Sequence, residues 1–193
     1  MLVRTATTAD AASIAQIHVE TWRVAYRGQI PDAVLNGLDV GRRTVFWQER
    51  LSQGSGAVFV AEDGDRITGF CDLVPSRDKD ADARTVAEIV AIYILPQHWR
   101  KGTGRALCAS ALAAARGQDY KAVTLWVLAS NDGARRFYEA MGFSLDGAAK
   151  ADRAADGSEL HEVRFRRNLG QLPGPHPPPE LGFQRKDAKA QSG

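Results

Sequence analysis

IYILPQHWRKGTGRAL, residues 92–107, joins an apolar run to a helix through a glycine-containing turn. Pro96 ends the apolar run, and an Ala- and Leu-rich helix is predicted over residues 104–116. Backbone amides at a helix amino terminus form a site for a phosphate or pyrophosphate, especially where glycines let a ligand approach the backbone closely. The stretch therefore predicts a strand–turn–helix unit that binds an anion.

Two nucleotide-binding motifs fit this turn poorly. A P-loop needs G-x-x-x-x-G-K-[ST], which is absent from the turn. A dinucleotide fold needs G-x-G-x-x-G, whereas this chain has Gly102, Gly104 and then Leu107. A purely structural turn is an alternative that this segment alone leaves open.

The hydrophobic pattern of the rest of the chain predicts a mixed α/β fold in the order β, helices, ββ, β, α, β, α, ββ. Residues 86–95, VAEIVAIYIL, are almost continuously apolar, which is typical of a central strand buried on both faces. The charged residues 76–84 are expected to form a solvated loop. The other expected strands cover residues 2–4, 57–62, 66–74, 122–128, 143–149 and 160–168. The other expected helices follow Thr7 or Thr8, begin at Pro31, span residues 40–51 and end at Met141.

Composition limits the classes of function. The 193 residues, of which 44% are hydrophobic, suffice for one catalytic domain. A net charge of +2 gives no case for binding nucleic acid or a membrane surface. Cys71 and Cys108 are far apart in the chain, which argues against a disulfide framework and a zinc site and favours the cytoplasm. No stretch approaches the roughly 20 apolar residues that span a bilayer.

The domain is expected to cover residues 1–168. Prolines concentrate between Pro173 and Pro179, and a polar run follows them. Residues 169–193 are therefore predicted to be a disordered, Pro-rich tail with no catalytic part.

The segment LPQHWRKGTGRAL resembles the acetyl-coenzyme A (acetyl-CoA) signature of the GNAT superfamily, usually written Q/R-x-x-G-x-G/A. Trp99 stands where Gln or Arg is commonest. The resemblance extends over about residues 1–168, with every element in the family's order. It implies a mixed, mostly antiparallel sheet of about seven strands flanked by helices. It also implies that the sheet is split between its fourth and fifth strands, with acetyl-CoA in the split.

The resemblance assigns the cofactor contacts. The family holds the pyrophosphate mainly through main-chain amides, so the change to Trp99 matters little. A β-bulge at residues 92–94 of the fourth strand is expected to hold the acetyl carbonyl and the pantetheine amides by its backbone. The side chains of Lys101 and Arg105 could equally be solvated surface. The implied cofactor residues are Ile92, Tyr93, Ile94, Arg100, Lys101, Gly102, Thr103, Gly104 and Arg105.

The segment LWVLASNDGARRFYEAMGF resembles the family's next strand and helix, with the core N-x-x-A-x-x-x-Y. Asn131 and Tyr138 are two helical turns apart, so they share one face about 10 Å apart along the axis. The resemblance implies that Asn131 contacts the pantetheine arm and that Tyr138 protonates the departing thiolate, which suits a phenol at neutral pH. A helix N-cap and a core aromatic are the structural alternatives.

Glu88 is a carboxylate in the otherwise apolar run AEIVAIYI. Burial disfavours the charged form of a carboxylate and so tunes it for base work near neutral pH. The spacing resembles E-I-V-F-C-A-V in the histone-acetylating branch, where the Glu is a general base, often through water. The alternative is a Glu that pairs with a nearby Arg at the strand edge.

His18, Trp22 and Tyr26 recur every four residues, so they form one stripe on the first helix. In the family this region walls the acceptor pocket, which makes Trp22 and Tyr26 candidate substrate contacts. An aromatic stripe at helical spacing more often packs into the hydrophobic core. Three basic residues near the last strand could attract an acidic acceptor or form a solvated edge: Arg164, Arg166 and Arg167.

These features predict direct transfer of an acetyl group from acetyl-CoA to a primary amine, with both substrates bound at once and no metal. A small-molecule acceptor is favoured over a protein, and the motifs place neither Cys71 nor Cys108 as an acyl carrier. The expected partners are a coenzyme A thioester and an amine, without nucleic acid or membrane, and a homodimer is left open. The alternatives are a non-catalytic acyl-CoA-binding or sensing module and a peptide or protein N-terminal acetyltransferase.

Overall fold

The computed structural model describes residues 1–153 and 159–170. Residues 171–193, most of the predicted tail, lie outside the described residues. The strands are β1 (Leu2–Thr5), β2 (Ala57–Asp63), β3 (Arg66–Pro75), β4 (Val86–Ile94), β5 (Ala122–Leu128), β6 (Ser144–Arg153) and β7 (Glu159–Asn168). The α-helices are α1 (Ala11–Ala25), α2 (Asp32–Asn36), α3 (Val40–Ser52), α4 (Thr103–Gly117) and α5 (Asp132–Ala140). Short 3₁₀ turns cover Thr8–Asp10 and Pro96–His98.

The seven strands form one sheet in the order β1-β2-β3-β4-β5-β7-β6. The β4–β5 pair is parallel, and the other neighbours are antiparallel. The predicted mixed, mostly antiparallel sheet is therefore confirmed. In the part of the chain described here, no helix combines the length and apolar character needed to cross a bilayer.

The central pair of strands separates along its length. Pairing between β4 and β5 runs from Val86–Ala122 to Glu88–Thr124, although β4 continues to Ile94 and β5 to Leu128. The expected split is thus present, and it opens just beyond Glu88.

A β-bulge accompanies the split. Asp72 of β3 pairs with Ala91, whereas Leu73 pairs with Ile89, so Val90 is an extra residue in β4. A bulge bends its strand and increases the local twist, which turns β4 away from β5. The bulge was expected at residues 92–94, but it lies at Val90, where the divergence starts.

The sheet carries a hydrophobic core on each face. Successive side chains of a strand point to opposite faces, and Phe70 and Cys71 accordingly belong to different clusters. Phe70 packs with Ile14 and Trp47, whereas Cys71 packs with Leu107 of α4. Small residues of α4 fit closely against the sheet, and these contacts fix the start of α4 beside the split: Cys108, Ala111 and Ala115 are fully buried.

Candidate active site

A cavity of about 950 Å³ occupies the split. The lining residues from the turn before α4, from the start of α4 and from α5 with its N-cap include Trp99, Arg100, Gly104, Asn131, Arg136 and Phe137, and we call this group the helix end. The lining residues from α1, the β3–β4 loop and the strands include Trp22, Tyr26, Arg77, Glu88, Trp126, Lys150 and Glu162, and we call this group the strand end. The split thus brings residues from the turn before α4 and from α5 into one cavity with residues of α1, β4 and β5.

The turn before α4 has the backbone of an anion site. Gly102 caps the helix with φ +88°, and a Cβ at this position would meet nothing within 4 Å. The first helical hydrogen bond runs from the Ala106 amide to the Gly102 carbonyl at 3.0 Å. The amides of residues 103–105 precede this bond and point along the helix axis, where the positive end of the helix dipole favours an anion.

Gly104 allows close packing rather than leaving open space. A Cβ on Gly104 would lie 3.3 Å from Ile94 Cδ1 and 3.4 Å from Phe137 Cζ. The absence of a side chain therefore lets α4 begin against β4 and α5. A branched side chain at this position would first meet Ile94 and Phe137.

Trp99 ties the turn to the strand. Its indole Nε1 donates to the Ile94 carbonyl at 2.6 Å, and the same carbonyl accepts from the Thr21 hydroxyl at 3.2 Å. These hydrogen bonds hold the turn, β4 and α1 together, and Trp99 remains 41% exposed and lines the cavity. Sequence reasoning missed this role, since it compared Trp99 only with the usual Gln or Arg.

The structure brings most of the sequence-predicted cofactor residues to the cavity. Those that line it are Ile92, Tyr93, Ile94, Arg100, Gly104 and Asn131. The others belong to the adjoining turn and helix start: Lys101, Gly102, Thr103 and Arg105. Arg136 of α5 lines the cavity too and adds a cation that the motif did not indicate.

The two motif residues of α5 keep their structural roles while they line the cavity. Asn131 Oδ1 accepts from the Ala134 amide at 3.1 Å, which makes it the N-cap of α5. The Tyr138 ring is buried and packs against Phe137 and Phe143, with centroids 5.2 and 6.0 Å away. Burial raises the pKa of Tyr138 well above its usual value, so its phenol carries a proton.

Glu88 is 2% exposed and is held by Arg77. Arg77 Nη2 donates to Glu88 Oε1 at 2.7 Å, Nε donates to Oε2 at 3.0 Å, and the Arg77 amide donates to Oε2 at 3.1 Å. The alternative of a Glu paired with a nearby Arg is therefore what the structure contains, and both partners line the cavity. Hydrogen bonding to Glu88 raises the pKa of Arg77.

The aromatic stripe of α1 divides between cavity and core. Trp22 and Tyr26 line the strand end, with ring centroids 5.0 Å apart, and burial raises the pKa of Tyr26. His18 packs instead among the core rings of Trp47 and Phe70. Burial lowers the pKa of His18 to about 3, so its imidazole is neutral.

The loop after β3 is largely exposed, as expected from its charges, but its first residues make ordered contacts. Ser76 is buried, and Asp78 Oδ1 accepts from Trp126 Nε1 at 3.0 Å. Arg164 is not part of a solvated edge, because it is 8% exposed and paired with Asp78, Asp80 and Asp146. The neighbouring arginines make local contacts: Arg166 donates to Asn168, and Arg167 donates to the Met141 carbonyl.

Both cysteines lie in the core. Cys71 and Cys108 are free and buried, and burial raises the pKa of the Cys71 thiol well above its usual value and that of Cys108 to about 11. Within residues 1–153 and 159–170, no group of three or more His, Cys, Asp or Glu side chains could hold a metal ion.

The sheet with its split, the bulged β4 and the glycine-containing turn before α4 together define an acyltransferase fold. Residues 13–143 match the Acetyltransferase (GNAT) family, and the chain belongs to this family. The uncharacterized N-acetyltransferase YuaI of Bacillus subtilis is 32% identical, over 83% of this chain and 89% of that protein. Phosphinothricin N-acetyltransferase of Streptomyces viridochromogenes is 28% identical, over 91% of each chain.

Solved structures have the same fold. The structure of yncA from Salmonella typhimurium, determined with its cofactor acetyl-CoA, has a TM-score of 0.68 at 23% identity and covers 91% of this chain and 97% of its own. The coenzyme A complex of the paia N-acetyltransferase of Thermoplasma acidophilum has a TM-score of 0.68 at 17% identity, over 86% of this chain and 98% of its own. The predicted GNAT fold is confirmed.

Proposed function

We propose that this protein transfers the acetyl group of acetyl-CoA directly to the primary amine of a small molecule. The observation that carries the proposal is the continuous cavity in the split, which has an anion-binding turn at one end and Glu88 and Tyr138 on its walls. The names of the relatives support an N-acetyltransferase, and the phosphinothricin enzyme among them acts on a small molecule. A cytoplasmic location and the state of assembly stay predictions.

The residues of the helix end fit a coenzyme A thioester. The open space at Gly102 and the amides of residues 103–105 suit a pyrophosphate, and the cations of Arg100 and Arg136 line the same end of the cavity. Beyond Glu88, the edge of β4 turns its backbone donors and acceptors into the split, where they can bond the amides of a pantetheine arm. Bound there, the thioester supplies an activated acetyl group.

Tyr138 is the proposed general acid. Its burial keeps the phenol protonated at neutral pH, and its position on the cavity wall lets the hydroxyl face a departing sulfur. A proton delivered to the thiolate makes it a better leaving group. Asn131, two turns earlier on the same side of the cavity, holds the arm of the thioester in line with Tyr138.

Glu88 is the proposed general base. The amine must lose a proton before its lone pair can attack the thioester carbonyl. A carboxylate has about four lone-pair sites, and the contacts made by Arg77 fill one on Oε1 and two on Oε2. Oε1 therefore retains a site, through which it accepts the proton directly or by way of water.

The test is thiol release from acetyl-CoA by the purified full chain, measured with a panel of small primary amines and of peptides with free amino termini. The proposal predicts release that depends on at least one small amine. A binding or sensing module would instead bind coenzyme A in calorimetry without releasing thiol above the amine-free rate. Release with peptides alone would assign the chain to protein amino termini.

A further inference from the structure

Arg164 of β7 gathers three carboxylates around one buried guanidinium. Nη1 and Nη2 donate to the two oxygens of Asp80 at 2.7 Å each, Nη1 also donates to Asp78 Oδ2 at 3.0 Å, and Nε donates to Asp146 Oδ2 at 2.7 Å. We call Arg164 and these three acids the Arg164 cluster. It joins the β3–β4 loop to β6 and β7, at residues far apart in the chain.

Asp78 links the Arg164 cluster to the cavity wall. Its second oxygen, Oδ1, accepts from Trp126 Nε1 at 3.0 Å, and Trp126 lines the strand end of the cavity. The indole ring also lies beneath two cations, with Lys150 Nζ 4.5 Å and the Arg164 guanidinium carbon 5.5 Å from its centroid. Trp126 and Arg164 are direct cross-strand partners, so their backbones are held in register as well.

The same loop carries Arg77, the residue next to Asp78. Arg77 holds Glu88 through its guanidinium and its amide, yet its own side chain is 67% exposed. An exposed arginine side chain is ordered only by its partners and by the position of its own backbone. The backbone of Arg77 is positioned by the next residue, Asp78, which Arg164 and Trp126 hold. Arg164 is therefore connected to Glu88 by a hydrogen bond to Asp78, the peptide bond from Asp78 to Arg77, and the hydrogen bonds of Arg77 to Glu88.

We propose that Arg164 is a positioning residue for the acceptor: it fixes Asp78, and thereby sets both the Arg77–Glu88 pair and the Trp126 wall of the strand end. Three acids gathered at one site repel one another unless a cation neutralises them. Removal of the guanidinium would drive the loop outward and take Arg77 with it. The inference rests on the proposed function, since it assigns the acceptor amine to the strand end.

The test uses Asp78→Ala, Trp126→Phe and Arg164→Met, with Arg166→Met as the matched control. Trp126→Phe keeps an aromatic ring and removes the donor to Asp78. Arg166 lies on the same strand, and its Nε donates to Asn168 at 3.1 Å, so it differs from Arg164 in acting on Asp80 through its charge alone. The first readout is hydrogen exchange of the peptide spanning residues 76–88. The second readout compares the change in the KM of the best amine in the panel with the change in the Kd of coenzyme A.

We expect faster exchange of the loop peptide in all three variants. The amine KM should rise about tenfold, as for loss of a hydrogen bond to a charged group, with the Kd of coenzyme A unchanged. Asp78→Ala combined with Trp126→Phe should add little to either single change, because the two delete the same bond. If Arg164→Met fails to fold because its acids lose their partner, Trp126→Phe, which keeps the cluster intact, gives the same readouts.

Loop exchange and amine KM equal to those of Arg166→Met in the folded variants would overturn the positioning role. An equal loss of coenzyme A affinity would overturn it too, since the cluster would then act on the whole cavity. If the wild type acetylates no amine, the proposed function fails separately. Loop exchange then still decides whether Asp78 and Arg164 hold the loop: faster exchange supports the contact, and unchanged exchange refutes it.

Discussion

Arg77 and Glu88 form a doubly hydrogen-bonded ion pair in the cavity wall, with Nη2–Oε1 and Nε–Oε2 distances of 2.7 and 3.0 Å. The pair allows a charged carboxylate to remain at a buried position, because a buried charge needs a partner. It also restricts how Glu88 can act, since a proton can reach the carboxylate mainly at Oε1. In the proposed mechanism, removal of the proton from the acceptor amine therefore depends on Arg77 as well as on Glu88.

Glu88→Gln should preserve the fold and lower turnover, because the amide keeps the shape and polarity of the side chain but cannot accept the proton. An alkylamine acceptor with a pKa near 10 is mostly protonated at neutral pH. The turnover of the variant should follow only the ionisation of the free amine at higher pH. Superimposable pH–rate profiles of the two proteins would make Glu88 structural.

Tyr138→Phe should keep coenzyme A affinity and lower turnover by about 10²- to 10⁴-fold, the usual contribution of general acid catalysis. The phenylalanine retains the ring contacts with Phe137 and Phe143, so packing should change little. Calorimetry and steady-state kinetics on the same preparation separate the two effects. Equal losses of binding and turnover would show that Tyr138 is only a packing residue.

Gly104→Val should weaken coenzyme A binding because the new side chain would push the start of α4 away from Ile94 and Phe137. Overpacking of this kind typically costs about 1–3 kcal/mol, so the variant should also unfold at lower denaturant concentration. Gly117→Val is the matched control at the other end of α4, where a Cβ meets nothing within 4 Å. A folded Gly104→Val protein with wild-type affinity would remove the start of α4 from the binding site.

The stability of the protein should fall with decreasing pH through His18. Burial lowers the pKa of His18 in the folded state to about 3 from the ordinary value of 6.5. Between these two values the unfolded chain binds the extra proton, so the free energy of unfolding decreases by up to about 1.4 kcal/mol per pH unit as pH falls. At higher pH the imidazole is neutral in both states and contributes no slope.

His18→Leu should lower the number of protons taken up on unfolding by up to one. The slope of the unfolding free energy against pH should become smaller accordingly. Urea unfolding from about pH 7 to about pH 4.5 gives the slope for both proteins. Parallel curves for wild type and variant would mean that His18 does not titrate on unfolding in this range.

The strands and helices could be predicted from sequence because apolar residues recur with the period of each element or form continuous runs in buried strands. The run VAEIVAIYIL is of the second kind, and it forms the central strand β4 as expected. The split was implied by the family resemblance. The position of the bulge could not be predicted, because Val90 has the same apolar character as its neighbours and only pairing with β3 distinguishes it.

The charged contacts of the site were the least predictable part. Arg77 and Asp78 lie in a loop, where no periodicity tells which way a side chain points. In β7, Arg164 and Arg166 alternate with the apolar Val163 and Phe165, so the pattern predicts that both arginines are exposed. The burial of Arg164 depends instead on acids from the β3–β4 loop and β6. The run RDKDAD is the signal that could have indicated a partner cation.

The most direct test of the central claim, acetyl transfer to a small amine, is product stoichiometry. The full chain is incubated with acetyl-CoA labelled in its acetyl group and with the amine panel, and free coenzyme A and labelled amine are counted by mass spectrometry. Direct transfer predicts equal amounts of the two products and no labelled protein. Free coenzyme A without a labelled amine, or label that accumulates on the protein itself, would contradict it.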